Sequence, residues 1–155
     1  MTPSLPQNLT LSYLPSRLIE YTLHQPQPLA HLDSQRFLGA VLFIDVSGFT
    51  ELTEQLAQQG EAGVEALTET INHYFGEIIA FITEYGGDIL KFAGDALVVL
   101  WSCPTPAHLA EQTAIACHCA LQLKQKFHNY EIPPDVRLGV RIGISAGELI
   151  EAIVG

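Results

Sequence analysis

The tightest constraint on this chain lies between Gly86 and Trp101. A long helical pattern stops at Gly86-Gly87. Two short apolar runs, residues 89–92 and 96–101, follow at once and are joined at Ala93-Gly94-Asp95. Apolar runs linked by a brief glycine-bearing bend read as a β-hairpin. In the helical pattern ahead of it, Val64, Leu67, Ile71, Tyr74, Ile78, Phe81 and Tyr85 recur on one face.

Upstream, residues 40–46 are continuously apolar except for Asp45. Such a run suits a strand covered on both faces or central in its sheet. A helix is expected to begin around Gly48 to Thr50, with Phe49, Leu52 and Leu56 at helical spacing and Gly60 as terminator. Downstream, Pro104 and Pro106 break the chain, and a third helix is expected over about residues 107–129. Val136, Leu138, Val140, Ile142 and Ile144 then alternate with Arg137, Gly139, Arg141, Gly143 and Ser145, as in a half-buried strand. A last strand-like piece covers residues 149–154. Residues 1–38, punctuated by Pro3, Pro6, Pro15, Pro26 and Pro28, read as an N-terminal strap with a short helix at 16–23, and residues 39–155 as the domain proper.

The order is strand, helix pair, hairpin, helix, strand. That predicts an α+β fold: a ferredoxin-like antiparallel sheet with helices packed on it. In that arrangement the first strand lies antiparallel beside the third. The end of one meets the beginning of the other, so Asp45 and Asp95 come together across fifty residues of sequence.

At 155 residues the chain is one domain by length, burying about 70% of its unfolded surface. With 48% hydrophobic and 15% charged residues it is globular rather than disordered. A net charge of −10 argues against nucleic acid or an anionic membrane as partner. An anionic ligand would need cations or backbone dipoles. No apolar run approaches a membrane span. Cys103, Cys117 and Cys119 form no CxxC and, with no signal peptide, read as reduced thiols in the cytoplasm. The segment Cys117-His118-Cys119 suggests metal ligands, but alternate residues on a helix point to different faces, which favours core or surface roles. The six histidines are scattered without metal spacing.

Two carboxylates at a sheet edge suit Mg²⁺, which takes one or two protein carboxylates and completes its shell with water and phosphate oxygens. Two such ions can clamp both oxygens of an in-line displacement. Ser47-Gly48-Phe49-Thr50 follows Asp45 directly, and the free N–H groups of a helix start there offer an anion site. Asp45 and Ser47 could instead simply cap that helix. Lys91 could project from a polar face or reach a base or anion from a cleft floor. Gly86-Gly87-Asp88 resembles part of the diguanylate cyclase signature, but it ends a helix and precedes the hairpin bend. It reads as a helix stop followed by an exposed Asp88.

With these residues in hand, the chain resembles the catalytic domain of class III nucleotide cyclases. The matches are FIDVSGFTELTE (residues 43–54), GGDILKFAGDALVVLW (86–101) and VRIGISAGELIEAIVG (140–155), in the family's order and spacing. ILKFAGDAL and the Leu14-Pro15 strap resemble the soluble, bicarbonate-responsive adenylyl cyclase type. The resemblance implies that Asp45 and Asp95 hold two Mg²⁺ ions, or Mn²⁺ or Ca²⁺, with the carbonyl of Val46 as a further ligand. The Gly48 turn and the N–H groups of Phe49 and Thr50 would hold phosphates. Lys91 would select adenine or line a bicarbonate pocket. The implied reaction converts ATP to 3′,5′-cyclic AMP and pyrophosphate in a site completed by a second cyclase domain. Family members continue past residue 155 through strands and a helix that supply the other half of the site. The chain is therefore expected to be a C-terminally truncated cyclase domain, inactive alone. The alternative is a non-catalytic cyclase-like module that regulates or dimerises.

Overall fold

The computed structural model describes residues 34–132 and 135–152. The chain divides into two compact units. One is residues 37–149. The other joins residues 1–36 to residues 150–155, and its described part is only the outer ends of two long strands. The expected strap and its helix at 16–23 lie outside the described residues, as does the end of the 149–154 piece.

In chain order the elements are β1 (Ser34–Ser47), α1 (Phe49–Ala57), α2 (Glu61–Glu84), β2 (Asp88–Ala93), β3 (Ala96–Cys103), α3 (Leu109–Phe127), β4 (Tyr130–Ile132) and β5 (Val136–Ala152). A single 3₁₀ turn, Pro106–His108, leads into α3. The sheet runs β2-β3-β1-β5-β4. β1 and β3 are antiparallel, with Asp45 opposite Ala96 and Leu38 opposite Cys103. β1 and β5 run in opposite directions too, because Gly39 lies against Leu149 whereas Ser47 lies against Gly139. The fold is the α+β, ferredoxin-like arrangement expected from the element order.

Period-2 burial explains how one sheet serves both core and site. Ala40, Leu42, Ile44 and Val46 of β1 are buried, as are their partners Leu97, Val99 and Trp101 on β3. They join one cluster with Tyr74, Ile78 and Ile82 of α2 and with Cys119, Leu123 and Phe127 of α3. The intervening residues lie on the face that the described helices do not cover. There Phe43 is 45% exposed. Thus β1 is central in the sheet but is not covered on both faces by the described residues.

Local signals account for the breaks. α2 ends in a Schellman motif: Gly86 N–H donates to the Thr83 carbonyl and Gly87 N–H to the Ile82 carbonyl. Gly86 has φ 73, and a Cβ on Gly87 would lie 2.7 Å from the Trp101 ring. These demands of the fold account for the Gly86-Gly87 pair, so the diguanylate signature loses its support. Asp88 follows as the half-buried first residue of β2, not as an exposed one.

Two further expectations need correction, and one strand is new. Val64 is 60% exposed, because the buried face of α2 runs through Tyr74, Phe75, Ile78 and Ile82. Residues 136–145 and 149–152 belong to one strand, with Gly147 taking up φ 153 within it. β4 was not anticipated; left-handed Asn129 (φ 59) sets the chain into it directly after α3.

Candidate functional site

β1 carries Asp45 to the open face of the sheet, next to its own end. The register sets Asp45 opposite Ala96, the first residue of β3, so that Asp95 stands at the adjoining corner. The corner is tight. Ala93 pairs with Ala96 across the two-residue loop Gly94-Asp95, and Gly94 takes φ 68. Among the described non-glycine residues only Asn129 has positive φ, so Asp95 has not. One left-handed residue at the first central position is the type II′ pattern, which matches strand twist. Strand register and turn chemistry together set the Asp95 backbone next to the residue that faces Asp45.

Directly after β1, Gly48 starts α1. Gly48 is the N-cap, with φ 90 and no side-chain hydrogen bond. Among the described residues no side chain, Asp45 and Ser47 included, is hydrogen-bonded to the N–H groups of the helix's first turn. Those of Phe49 and Thr50 are among the donors that a helix leaves without intrahelical partners. Glu51 is the acidic residue of that turn. Gly48 itself is a glycine for the sake of the fold: a Cβ would stand 2.4 Å from the carbonyl oxygen of Arg137 on β5. Val46, whose side chain is buried, lies between Asp45 and this turn.

Lys91 reaches the same face by an irregularity. Ile89 pairs with Val99, but Lys91 pairs with Val98, so β2 carries one extra residue there. Val98 in turn faces Phe43 on β1. Lys91, Val98 and Phe43 form one row across the open face, two residues along β1 from Asp45.

The sequence reading missed one residue of this group. Arg141 on β5 extends its guanidinium to Asp45, with Nη1 3.7 Å from Oδ2; the side chains are 78% and 36% exposed. The arginine was visible only as a polar position in the alternation of β5. Its neighbour across the sheet was hidden until the β1–β5 register was known. Gly139, one position earlier on that face, leaves room for the Ser47 hydroxyl, which a Cβ would approach to 2.9 Å.

The residue types suit a divalent cation of the Mg²⁺ type: the partly exposed Asp45 carboxylate, Asp95 beside the residue that pairs with it, and the Val46 carbonyl just before the helix start. Among the described residues no group of three or more His, Cys, Asp or Glu is gathered at one place. Of the cysteines, Cys119 is buried and Cys117 half-buried, so they lie in different surroundings. Burial pushes the Cys119 thiol up to about 11. No helix among the described residues is long and apolar enough to cross a membrane.

The described residues form an α+β domain: an antiparallel sheet with helices packed on one face and charged side chains, among them Asp45 and Arg141, on the other. Residues 38–155 match the model of the adenylate and guanylate cyclase catalytic domain. The chain belongs to that family. It is 36% identical over 121 residues to adenylate cyclase type 10 of Rattus norvegicus, a match covering 77% of this chain and 8% of the rat protein. The human protein of the same name is 35% identical over the same length. Among solved structures, the adenylyl cyclase CyaB of P. aeruginosa superposes with a TM-score of 0.60 at 32% identity, over 77% of this chain and 60% of that one. A bacterial light-regulated adenylyl cyclase gives 0.67 at 25% identity, over 94% and 39%. The chain thus spans less than a tenth of the rat and human relatives' length.

Proposed function

We propose that this chain supplies the metal-holding half of an adenylyl cyclase active site, which a second cyclase domain completes to convert ATP to 3′,5′-cyclic AMP and pyrophosphate. The observation that supports the reading is the pairing of Asp45 with Ala96, the residue directly after Asp95. The likeness to adenylyl cyclases favours ATP over GTP as substrate.

Asp45, Asp95 and the Val46 carbonyl would hold two divalent cations, Mg²⁺ or Mn²⁺. When bound, such ions neutralise triphosphate charge and lower the pKa of a ribose hydroxyl. The chain's own groups do the positioning. The uncapped first turn of α1, at Gly48, Phe49 and Thr50, offers N–H donors to phosphate oxygens. Lys91, exposed on the same face, meets the purine edge or a small anion such as bicarbonate. Catalysis of this kind rests on orientation and charge stabilisation rather than on a protein nucleophile.

The test mixes the 155-residue chain with a separately purified cyclase domain that carries the complementary half. Cyclic AMP and cyclic GMP are then measured from ATP and GTP with Mg²⁺ or Mn²⁺. The expected result is cyclic AMP from the mixture and none from the chain alone. Asp45→Ala and Asp95→Ala should keep the circular-dichroism spectrum and lose at least about 100-fold in turnover. Undiminished production by either folded variant refutes the assignment.

A further inference from the structure

Arg141 has no part in the reading above, yet among the described residues its guanidinium is the only polar partner of the Asp45 carboxylate. The contact follows from the β1–β5 register, which also lays Ser47 against Gly139. We propose that Arg141 is an exchangeable counter-cation: it occupies Asp45 while no metal is bound, and a divalent cation must displace it. The proposal rests on Asp45 being a metal ligand.

The geometry supports exchange rather than a permanent bridge. At 3.7 Å the pair is an ion pair without a short hydrogen bond, and at 78% exposure the arginine side chain has water available once it leaves. Asp45 is 36% exposed, so a cation can approach it. A divalent ion on that carboxylate would stand within a few ångströms of a guanidinium that still held it, and like charges at that distance repel. Cation and guanidinium therefore compete for one carboxylate. The fixed positive charge makes the site reluctant toward bare metal.

Exposed pairs of this kind are worth a factor of about two to five in an equilibrium. The experiment measures Mn²⁺ binding to the 155-residue chain at 0.1 M salt, by the electron paramagnetic resonance signal of free Mn²⁺, without nucleotide and without reference to activity. Arg141→Gln should bind Mn²⁺ about two- to fivefold more tightly than the parent. Arg141→Lys, which keeps the charge, should stay within about twofold of it. Arg137→Gln is the control for a diffuse charge effect. It removes an arginine from the same face of β5, about 13 Å away along the strand, beyond the screening length of about 10 Å. It should leave the affinity unchanged.

Arg141→Gln binding no more tightly than the parent, or Arg137→Gln binding as tightly as Arg141→Gln, overturns the proposal. Asp45→Asn separates this failure from that of the underlying reading. If Asp45→Asn loses Mn²⁺ while Arg141→Gln has no effect, Asp45 remains a ligand and only the exchange is wrong. If Asp45→Asn binds Mn²⁺ as the parent does, the metal reading of Asp45 falls and the exchange falls with it.

Discussion

Lys91 stands opposite Val98, whereas Ile89, two residues earlier, stands opposite Val99. Simple alternation would set Ile89 and Lys91 on one face, toward the helices. The extra residue in β2 reverses this and turns Lys91 to the open face, while Phe92 keeps an edge contact with Phe75 of α2 at 6.0 Å between ring centroids. Bulges commonly re-aim one side chain in this way. Lys91→Ala should therefore change the unfolding free energy by no more than about 0.5 kcal/mol, as for an exposed side chain away from special features. In the completed enzyme it should weaken nucleotide binding. Urea midpoints and titration with a non-hydrolysable ATP analogue check the two halves. A stability loss above about 1 kcal/mol would mean that Lys91 packs.

Much of this was legible in the sequence for a physical reason. Ala40 to Val46, the Gly86-Gly87 stop and Gly94-Asp95 each carry a strong local signal, and antiparallel topology then leaves one way to bring Asp45 to Asp95. What was not legible depended on long-range register. The Asp45–Arg141 contact needs the β1–β5 alignment, which no local pattern encodes. The same holds for Gly48: that its Cβ-less side faces the Arg137 carbonyl depends on where β5 lies, which no local pattern encodes. Val64 was placed on the buried face because helical spacing alone does not say where along a helix the covering elements stop.

Gly48 and Gly94 make a controlled pair. Both have positive φ, at 90 and 68. A Cβ at Gly94 would meet nothing within 4 Å, whereas one at Gly48 would meet β5 backbone at 2.4 Å. Gly94→Ala should cost about 1 kcal/mol, the backbone penalty alone. Gly48→Ala should cost that plus the displacement of a central strand, well beyond 2 kcal/mol. Urea denaturation followed by circular dichroism measures both. Equal losses would show that β5 yields freely at this point.

The three thiols should separate by reactivity. Burial raises Cys103, and raises Cys119 from 9.0 to about 11, while Cys117 is half-exposed on α3. Because the thiolate is the reacting form, iodoacetamide near pH 8 should modify Cys117 first and the other two only on unfolding. The same shift predicts a pH dependence. A thiol whose folded pKa exceeds its unfolded one contributes stability that is complete below about 9 and is lost toward about 11, because the unfolded chain ionises first. Burial of the Tyr74 phenol, with Tyr130 beside it, acts in the same direction at higher pH. Urea midpoints at pH 8, 9.5 and 10.5 should fall for the parent and fall less for Cys119→Ala. Identical slopes would remove Cys119 as the cause.

The end of α2 is tied to β3 through the one tryptophan. Trp101 Nε1–H donates to the Tyr85 carbonyl at 2.8 Å, where the helix ends. The ring packs over Gly87, whose absent Cβ would otherwise press on Trp101, Ile82 and Val99 at 2.6–2.9 Å. The helix stop, the start of β2 and the third strand thus share one joint, on which the placement of Asp95 at the far end of the hairpin depends. Trp101→Phe deletes the donor, leaves a helix-end carbonyl without it and opens a cavity in a site where the indole is 2% exposed. The expected cost is about 2–4 kcal/mol. Gly87→Ala should cost a similar amount from the opposite cause, overpacking, at about 1–3 kcal/mol. It should also red-shift the tryptophan emission of the folded chain as the ring is displaced. Circular dichroism in urea measures both variants, and fluorescence measures the second. A neutral Gly87→Ala with unshifted emission would mean that the three side chains yield without cost, and the joint would then not be what fixes the hairpin to the helix.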